Sequence, residues 1–156
     1  MSKSVKRVAK ALQDAGAESA ILEMPADTRT AEMAAAAAGC LVDQIAKSIL
    51  FQGMADGRLY LFITAGGNRV DGAKAGQIAG QTLLKADAEA IRAQTGFAIG
   101  GVAPLGHLRP LPTYFDPRLL DFAVIWAAAG TPRHIFSIDP GQLLHISGAI
   151  KADFTA

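Results

Sequence analysis

The apolar positions of this chain fall into short periodic runs punctuated by Gly, Pro and Asp. Val5, Val8, Leu12 and Ala15 recur at helical spacing behind Ser2 and Ser4, either of which can cap, and Gly16 stops the run. Residues 20–24 are apolar and closed by Pro25, which predicts a strand. Thr30 is placed to cap a helix over 31–38, with Glu32 in its first turn and Gly39 as its C-terminal stop. Strands are predicted over 44–51 and 58–64, the second alternating with period two, and Asp56-Gly57 between them signals a hairpin. Gly66-Gly67-Asn68 reads as a turn and 71–78 as a short helix ended by Gly80; Asp87 caps another helix that stops near Gly96. Further strands are predicted over 111–114, 122–126 and 134–138, with Gly130-Thr131-Pro132 as a turn before the last. Asp139-Pro140 then opens a final helix, with Asp as cap and Pro at the first helical position, ended by Gly148.

Strands and helices mix without strict β-α-β alternation. That predicts an α+β fold with a mostly antiparallel or mixed sheet, curled toward a barrel. No linker, repeat or low-complexity segment interrupts the pattern, so one domain over residues 1–156 is expected. Hydrophobic residues make up 51% of the chain and charged residues 19%, which fits a packed globule and excludes a disordered chain. Aromatics are only 6%, so the core must be mainly aliphatic. The formal charge of +1 gives no global attraction to nucleic acid. DNA is not an expected partner, and any RNA contact must rest on a local patch. Cys40 is the sole cysteine, so no intramolecular disulfide is possible. The basic, polar start has no apolar run behind it, and no stretch approaches the roughly 18 apolar residues of a membrane span. The expectation is a soluble cytoplasmic protein.

Between Gly96 and Gly106, four glycines and one proline in eleven residues mark a shaped loop. Glycines let backbone N–H groups approach a ligand, and successive N–H groups can cradle an oxyanion; the alternative is a tight connection between elements. His107, His134 and His145 lie 27 and 11 residues apart, which matches no metal-ligand spacing, and there is no phosphate-binding, dinucleotide or nucleophile-elbow motif. An enzyme built from these residues would work through positioning and backbone electrostatics.

Lys47 falls on one face of a strand with Ile45, Ile49 and Phe51. Burying an unpaired ammonium is costly. Three outcomes stay open: an edge-strand gatekeeper, a stem that snorkels to the surface, or a head that lines a polar pocket. Lys3, Lys6, Arg7 and Lys10 form a stripe on the first helix, readable as a tRNA patch or as solvated surface charge. Thr28 and Thr30 can present hydroxyls to a substrate, although capping alone accounts for Thr30. Cys40 reads as a small buried thiol, and His107 and His134 as loop or core histidines that can also carry protons.

Taken in order, Thr30-Ala31-Glu32, residues 45–51 around Lys47, Gly100-Gly101-Val102-Ala103-Pro104-Leu105-Gly106, and Ala128-Ala129-Gly130-Thr131-Pro132-Arg133 resemble the YbaK/ProX family. Its members are aminoacyl-tRNA deacylases related to the editing insertion domain of bacterial prolyl-tRNA synthetase. The resemblance implies a mixed, barrel-like sheet with helices around it. It implies a mischarged aminoacyl-tRNA as substrate, with prolyl-tRNA synthetase as a possible associate, and neither metal nor organic cofactor. Gly100 and Gly101 would hold the aminoacyl carbonyl through backbone groups. Thr28, Thr30, Ser48, Val102, Pro104, Gly106, His107 and Gly130 would border the substrate. Lys47 would contact the terminal adenosine or its phosphate. Water or a substrate group would be the nucleophile. Members that remove Ala usually carry Asn where this chain has Ser48, and the G-G-x-x-P-L-G form resembles the subgroup that removes Cys, so Cys or another small amino acid is the expected acyl group. The lack of an obvious acid, base or nucleophile equally motivates a non-catalytic binder of aminoacyl-adenylates or tRNA 3′ ends, and the low charge motivates an accessory module docked on a synthetase.

Overall fold

The computed structural model describes residues 2–17 and 19–156. Ser2, not Ser4, caps α1 (Lys3–Asp14), its hydroxyl accepting from the Val5 N–H at 3.2 Å. The Val5, Val8 and Leu12 side chains of α1 are buried, as their spacing requires. Strand β1 (Ile21–Glu23) follows, then α2 (Ala31–Ala38), whose first turn is capped by the Thr30 hydroxyl, accepting from the Met33 N–H at 3.1 Å. A single 3-10 turn over Val42–Gln44 leads into β2 (Ile45–Gly53), and a hairpin through Asp56-Gly57 into β3 (Leu59–Ala65).

The chain continues with α3 (Gly72–Ala79), β4 (Leu83–Lys85), α4 (Ala88–Thr95) and β5 (Thr113–Phe115). A second 3-10 turn, Pro117–Asp121, precedes β6 (Ile125–Ala128), β7 (His134–Ile138), α5 (Pro140–Ile146) and β8 (Ile150–Lys151). Asp71, Asp87 and Asp139 cap α3, α4 and α5 through backbone N–H groups of the first turn.

All eight strands join one mixed sheet in the order β1-β7-β6-β2-β3-β5-β8, with β4 paired to β2 off that path. β2 is the branch point. β3 lies antiparallel along one edge over Ala46–Gln52; on the other edge, β6 pairs in parallel only at Ile45 and Ala46, and β4 antiparallel only at Phe51–Gly53. Residues 47–50 therefore face a gap between two strands, and among the described residues no strand fills it.

The main core gathers Leu59, Leu61 and Ile63 of β3, Phe136 of β7 and Leu143 of α5 on one face of the sheet. Two smaller clusters cover the other face. One joins Ala31, Ala34 and Ala35 of α2 to Ile45; the other joins Tyr60, Phe62, Ala75 and Phe154. Every residue of β3 is buried. The period-two alternation expected there is therefore not an inside–outside pattern: β3 is covered on both faces, which is why its sequence is almost continuously apolar. The strand expected at 122–126 starts three residues later, because Phe122 closes the 3-10 turn, its N–H donating to Leu119 O at 3.5 Å, and the chain bends at residues 122–123 before it can extend. Strands of two and three residues, such as β8 and β4, are too short to show a period in sequence.

Candidate functional site

The gap beside β2 opens into a cavity of about 410 Å³. Its walls come from Thr28–Ala31 and Glu32 at the start of α2, residues 45–49 of β2, Trp126–Ala128 of β6, and Ile99, Gly100 and Val102 of the glycine loop. Strand geometry explains why the cavity has polar edges. Gly53 N–H donates to Arg58 O, so the odd-numbered residues of β2 exchange hydrogen bonds with β3. Alternation then turns the peptide N–H and C=O of Ser48 toward the gap. The Ser48 hydroxyl is also buried with no hydrogen-bond partner.

Lys47 takes the pocket-lining outcome. Its ammonium donates to the Asn68 carbonyl at 2.6 Å, beside the cavity wall formed by Gly66. Burial is the largest influence on this group and holds its pKa below the usual lysine value; Arg69 pushes the same way, while Glu32, Asp116 and Asp43 oppose.

The glycine loop divides into three parts. Ile99, Gly100 and Val102 form cavity wall. Ala103 and Leu105 are buried in the main core, with Pro104 buried between them. Gly106 and His107 lie back toward α1. The loop is pinned to its neighbours by close packing. A Cβ on Gly101 would sit 2.6 Å from Thr131 Cα and 2.8 Å from Thr131 C and N, so only glycine lets this loop meet the 130–133 turn. That turn in turn holds Thr28, whose N–H and hydroxyl both donate to Pro132 O, at 2.7 and 2.8 Å. The Gly101 N–H donates to Ala98 O at 3.1 Å, whereas those of Gly100 and Val102 have no partner among the described residues.

Thr28, Thr30, Lys47, Ser48, Gly100 and Val102 thus share one cavity, with Gly101 just behind its wall. Pro104, Gly106, His107 and Gly130 do not line it. Gly130 instead seats the start of α1: a Cβ there would lie 2.9 Å from Ser4 C and O. The His107 ring contacts Ala103 O through Nε2 at 2.7 Å and meets Phe97 edge to face. Burial, more than the nearby Arg7, lowers its pKa, against the raising effect of the Ala103 carbonyl. Cys40 packs against the α2 cluster, and burial raises its thiol pKa, so it is not poised as a thiolate.

Arg7 departs from the basic stripe. Its guanidinium donates to Gly106 O at 3.0 Å and to Gly96 O at 2.7 Å, and lies 4.5 Å from the centre of the Phe97 ring. One side chain therefore fastens both ends of the glycine loop. Lys3, Lys6 and Lys10 remain exposed, and Lys10 pairs with Asp14 at 2.9 Å. Arg7→Ala is expected to lower stability by roughly 2–3 kcal/mol, from lost charge-assisted hydrogen bonds and ring contact. Urea denaturation, together with faster amide exchange over 97–106, would show this. An unchanged urea midpoint with an altered salt dependence of RNA binding would instead make Arg7 an RNA contact.

Sequence reasoning passed over three contributors. Arg29 runs its stem over Gly100, Trp126 closes one wall, and Asn68 receives Lys47. Asn68 carried a signal as part of the Gly-Gly-Asn turn, but a turn motif does not reveal which distant side chain its carbonyl will hold.

A family model for the aminoacyl-tRNA editing domain matches residues 25–146. The chain belongs to the aminoacyl-tRNA editing domain family. All residues lining the cavity lie within the matched span, and α1 with Arg7 lies before it. Uncharacterized protein YwhH of Bacillus subtilis (strain 168) is 30% identical over 130 residues, covering 83% of this chain and 82% of that protein. A crystal structure of a proposed trans-editing enzyme for prolyl tRNA synthetase superposes with a TM-score of 0.92 at 46% identity, over 100% of this chain and 99% of that one. Hypothetical protein APE2540 gives a TM-score of 0.88 at 25% identity, covering 96% of this chain and 99% of that one. The mixed-sheet architecture expected from the sequence is that of this editing-domain fold.

Proposed function

We propose that this editing domain, acting as one module over residues 1–156, hydrolyses the ester that joins a wrong amino acid to the 3′ end of a tRNA. The substrate is mischarged proline tRNA met in the cytoplasm, and the acyl group is Cys or another small amino acid. The observation that carries this reading is the presence, in one small cavity, of a tethered lysine ammonium and a glycine-loop wall with free N–H groups. A relative of 46% identity, proposed as a trans-editing enzyme for prolyl tRNA synthetase, supports the choice of tRNA.

In this reading the acyl carbonyl lies against the loop, and the N–H groups of Gly100 and Val102 stabilise the oxyanion as it develops. A well-placed donor of this kind contributes roughly 2.7–4 kcal/mol. Gly101, whose own N–H is committed, sets the loop's position. Lys47 binds the phosphate or ribose oxygens of the terminal adenosine. No histidine or cysteine lines the cavity, so water is the nucleophile, oriented by substrate groups such as the neighbouring ribose hydroxyl; its oxygen joins the acyl carbon and the ribose 3′ oxygen leaves with a proton. The acyl side chain enters among Ala, Ile and Val side chains toward Ser48. An unsatisfied buried hydroxyl costs about 1–3 kcal/mol, so an acyl group able to hydrogen-bond Ser48 gains over a purely apolar one of equal size. Lys3, Lys6 and Lys10 face the acceptor stem.

The location of the site is tested by titrating the protein with a non-hydrolysable 3′-aminoacylamino-adenosine and following amide NMR shifts. Saturable shifts centred on Lys47, Ser48 and Gly100 are expected. Shifts confined to another face, or none at millimolar ligand, would overturn the assignment.

A further inference from the structure

Asp116 is the only acidic side chain in the buried set among the described residues, with 2% of its surface exposed. The aspartates that cap α4 and α5 lie at the surface, so capping a 3-10 turn does not by itself require this burial. A buried carboxylate persists only where N–H groups replace its water. Asp116 has three such donors. Oδ1 accepts from Arg118 N–H at 3.0 Å, and Oδ2 from Ala65 N–H at 3.0 Å and from the Asn68 side-chain amide at 2.9 Å. The last two belong to the chain leaving β3, and the Asn68 carbonyl is the group that receives the Lys47 ammonium at 2.6 Å. Asp43 grips the same turn from outside, its Oδ1 accepting from Gly67 N–H at 2.8 Å while Oδ2 pairs with Arg118 at 3.1 Å.

We propose that Asp116 is the positioning residue of the Lys47 site: it fixes the Ala65–Asn68 turn so that the Asn68 carbonyl holds the ammonium at the cavity wall. The charge of Asp116 acts on Lys47 in the same sense, offsetting part of the cost of burying it. The charged groups felt by this ammonium are Glu32, Arg69, Asp116 and Asp43. The inference rests on Lys47 being the working lysine of the proposed deacylation, but its geometric half stands without it.

Two variants separate positioning from general structure. Asn68→Ala keeps the backbone carbonyl and removes only the amide that Asp116 grips. Asp116→Asn keeps the volume but places an amide donor against one of three N–H donors. The direct readout is the Lys47 ammonium signal in a lysine 15Nζ NMR spectrum, assigned with Lys47→Arg, because a held ammonium exchanges slowly. In the wild type that signal is expected to be resolved; in Asn68→Ala it is expected to broaden or vanish while the far-ultraviolet circular dichroism is unchanged. On mischarged tRNA, kcat/KM is expected to fall roughly 10- to 100-fold, the effect of about 1 Å of misplacement, with the alkaline limb of the pH profile shifted. A folded Asn68→Ala protein with the wild-type Lys47 signal and pH profile would overturn the proposal, even if Asp116→Asn fails to fold. If the wild type turns over no charged tRNA but the signal responds as stated, the positioning role stands and the deacylase reading fails.

Discussion

Lys47→Met is expected to remove most deacylation while leaving the fold intact. Methionine keeps the apolar stem against Ile45 and Ile49 and deletes only the charge, and with it the bond to Asn68 O. Because burial disfavours the ammonium in the native state, its removal costs the fold little, and the thermal midpoint should stay level or rise. The loss belongs to substrate: a charged contact to phosphate or to a developing charge is worth about two to three powers of ten in rate. The pH dependence follows with a definite sign. Burial lowers the Lys47 pKa, so the charged form is lost at a lower pH than the roughly 10.4 of free lysine. Activity corrected for uncatalysed ester loss should therefore fall on an alkaline limb below that value. Lys47→Arg, charged at every accessible pH, should lack this limb. Full activity of folded Lys47→Met on mischarged tRNA would remove lysine from the mechanism.

Gly101→Ala is expected to produce a large loss of both stability and activity from a single added methyl group. The new Cβ would meet backbone atoms of Thr131 at 2.6–2.8 Å, and backbone cannot swing aside as a flexible side chain can. Relief requires the 96–106 loop and the 130–133 turn to separate. Overpacking of this kind costs about 1–3 kcal/mol. Because Thr28 hangs from the same turn through Pro132 O, the separation moves two cavity walls at once. Urea denaturation and deacylation kinetics should fall together. By contrast, a Cβ at Gly72 meets nothing within 4 Å, so Gly72→Ala should leave both unchanged and serves as a control. Wild-type stability in Gly101→Ala would mean that the loop and turn are not locked as described.

The helices and their ends were legible because each is a local code. Thr30, Asp87 and Asp139 cap where their spacing to the apolar run predicts, and Ser2 is one of the two caps offered for α1. The glycine loop and the mid-strand lysine were legible as departures from such codes: too many glycines for regular structure, and a charge among apolar neighbours. What joins them was not. The cavity exists because β2 parts from β6 after two residue pairs and meets β4 only after four residues without a partner on that edge, and strand partners far apart in sequence leave no local trace. Arg7 read as one more basic residue of a stripe because the helical period fixes its azimuth and not the carbonyls that arrive from residues 96 and 106. His107 and Pro104 sat in the right motif but serve the core side of the loop. Asp116 stood outside every element and motif singled out in the sequence, and its grip on Asn68, 48 residues earlier, follows only from the parallel pairing of β3 with β5.

Hydrolysis is decided by multiple-turnover deacylation of proline tRNA charged separately with Cys, Ala, Ser and Pro, each against a control without protein. Catalytic loss of one small noncognate amino acid is expected, with Pro-tRNA spared. Ester loss no faster than the control for every acyl group, from protein whose cavity binds the aminoacyl-adenosine analogue, would contradict it and leave a binding module in its place.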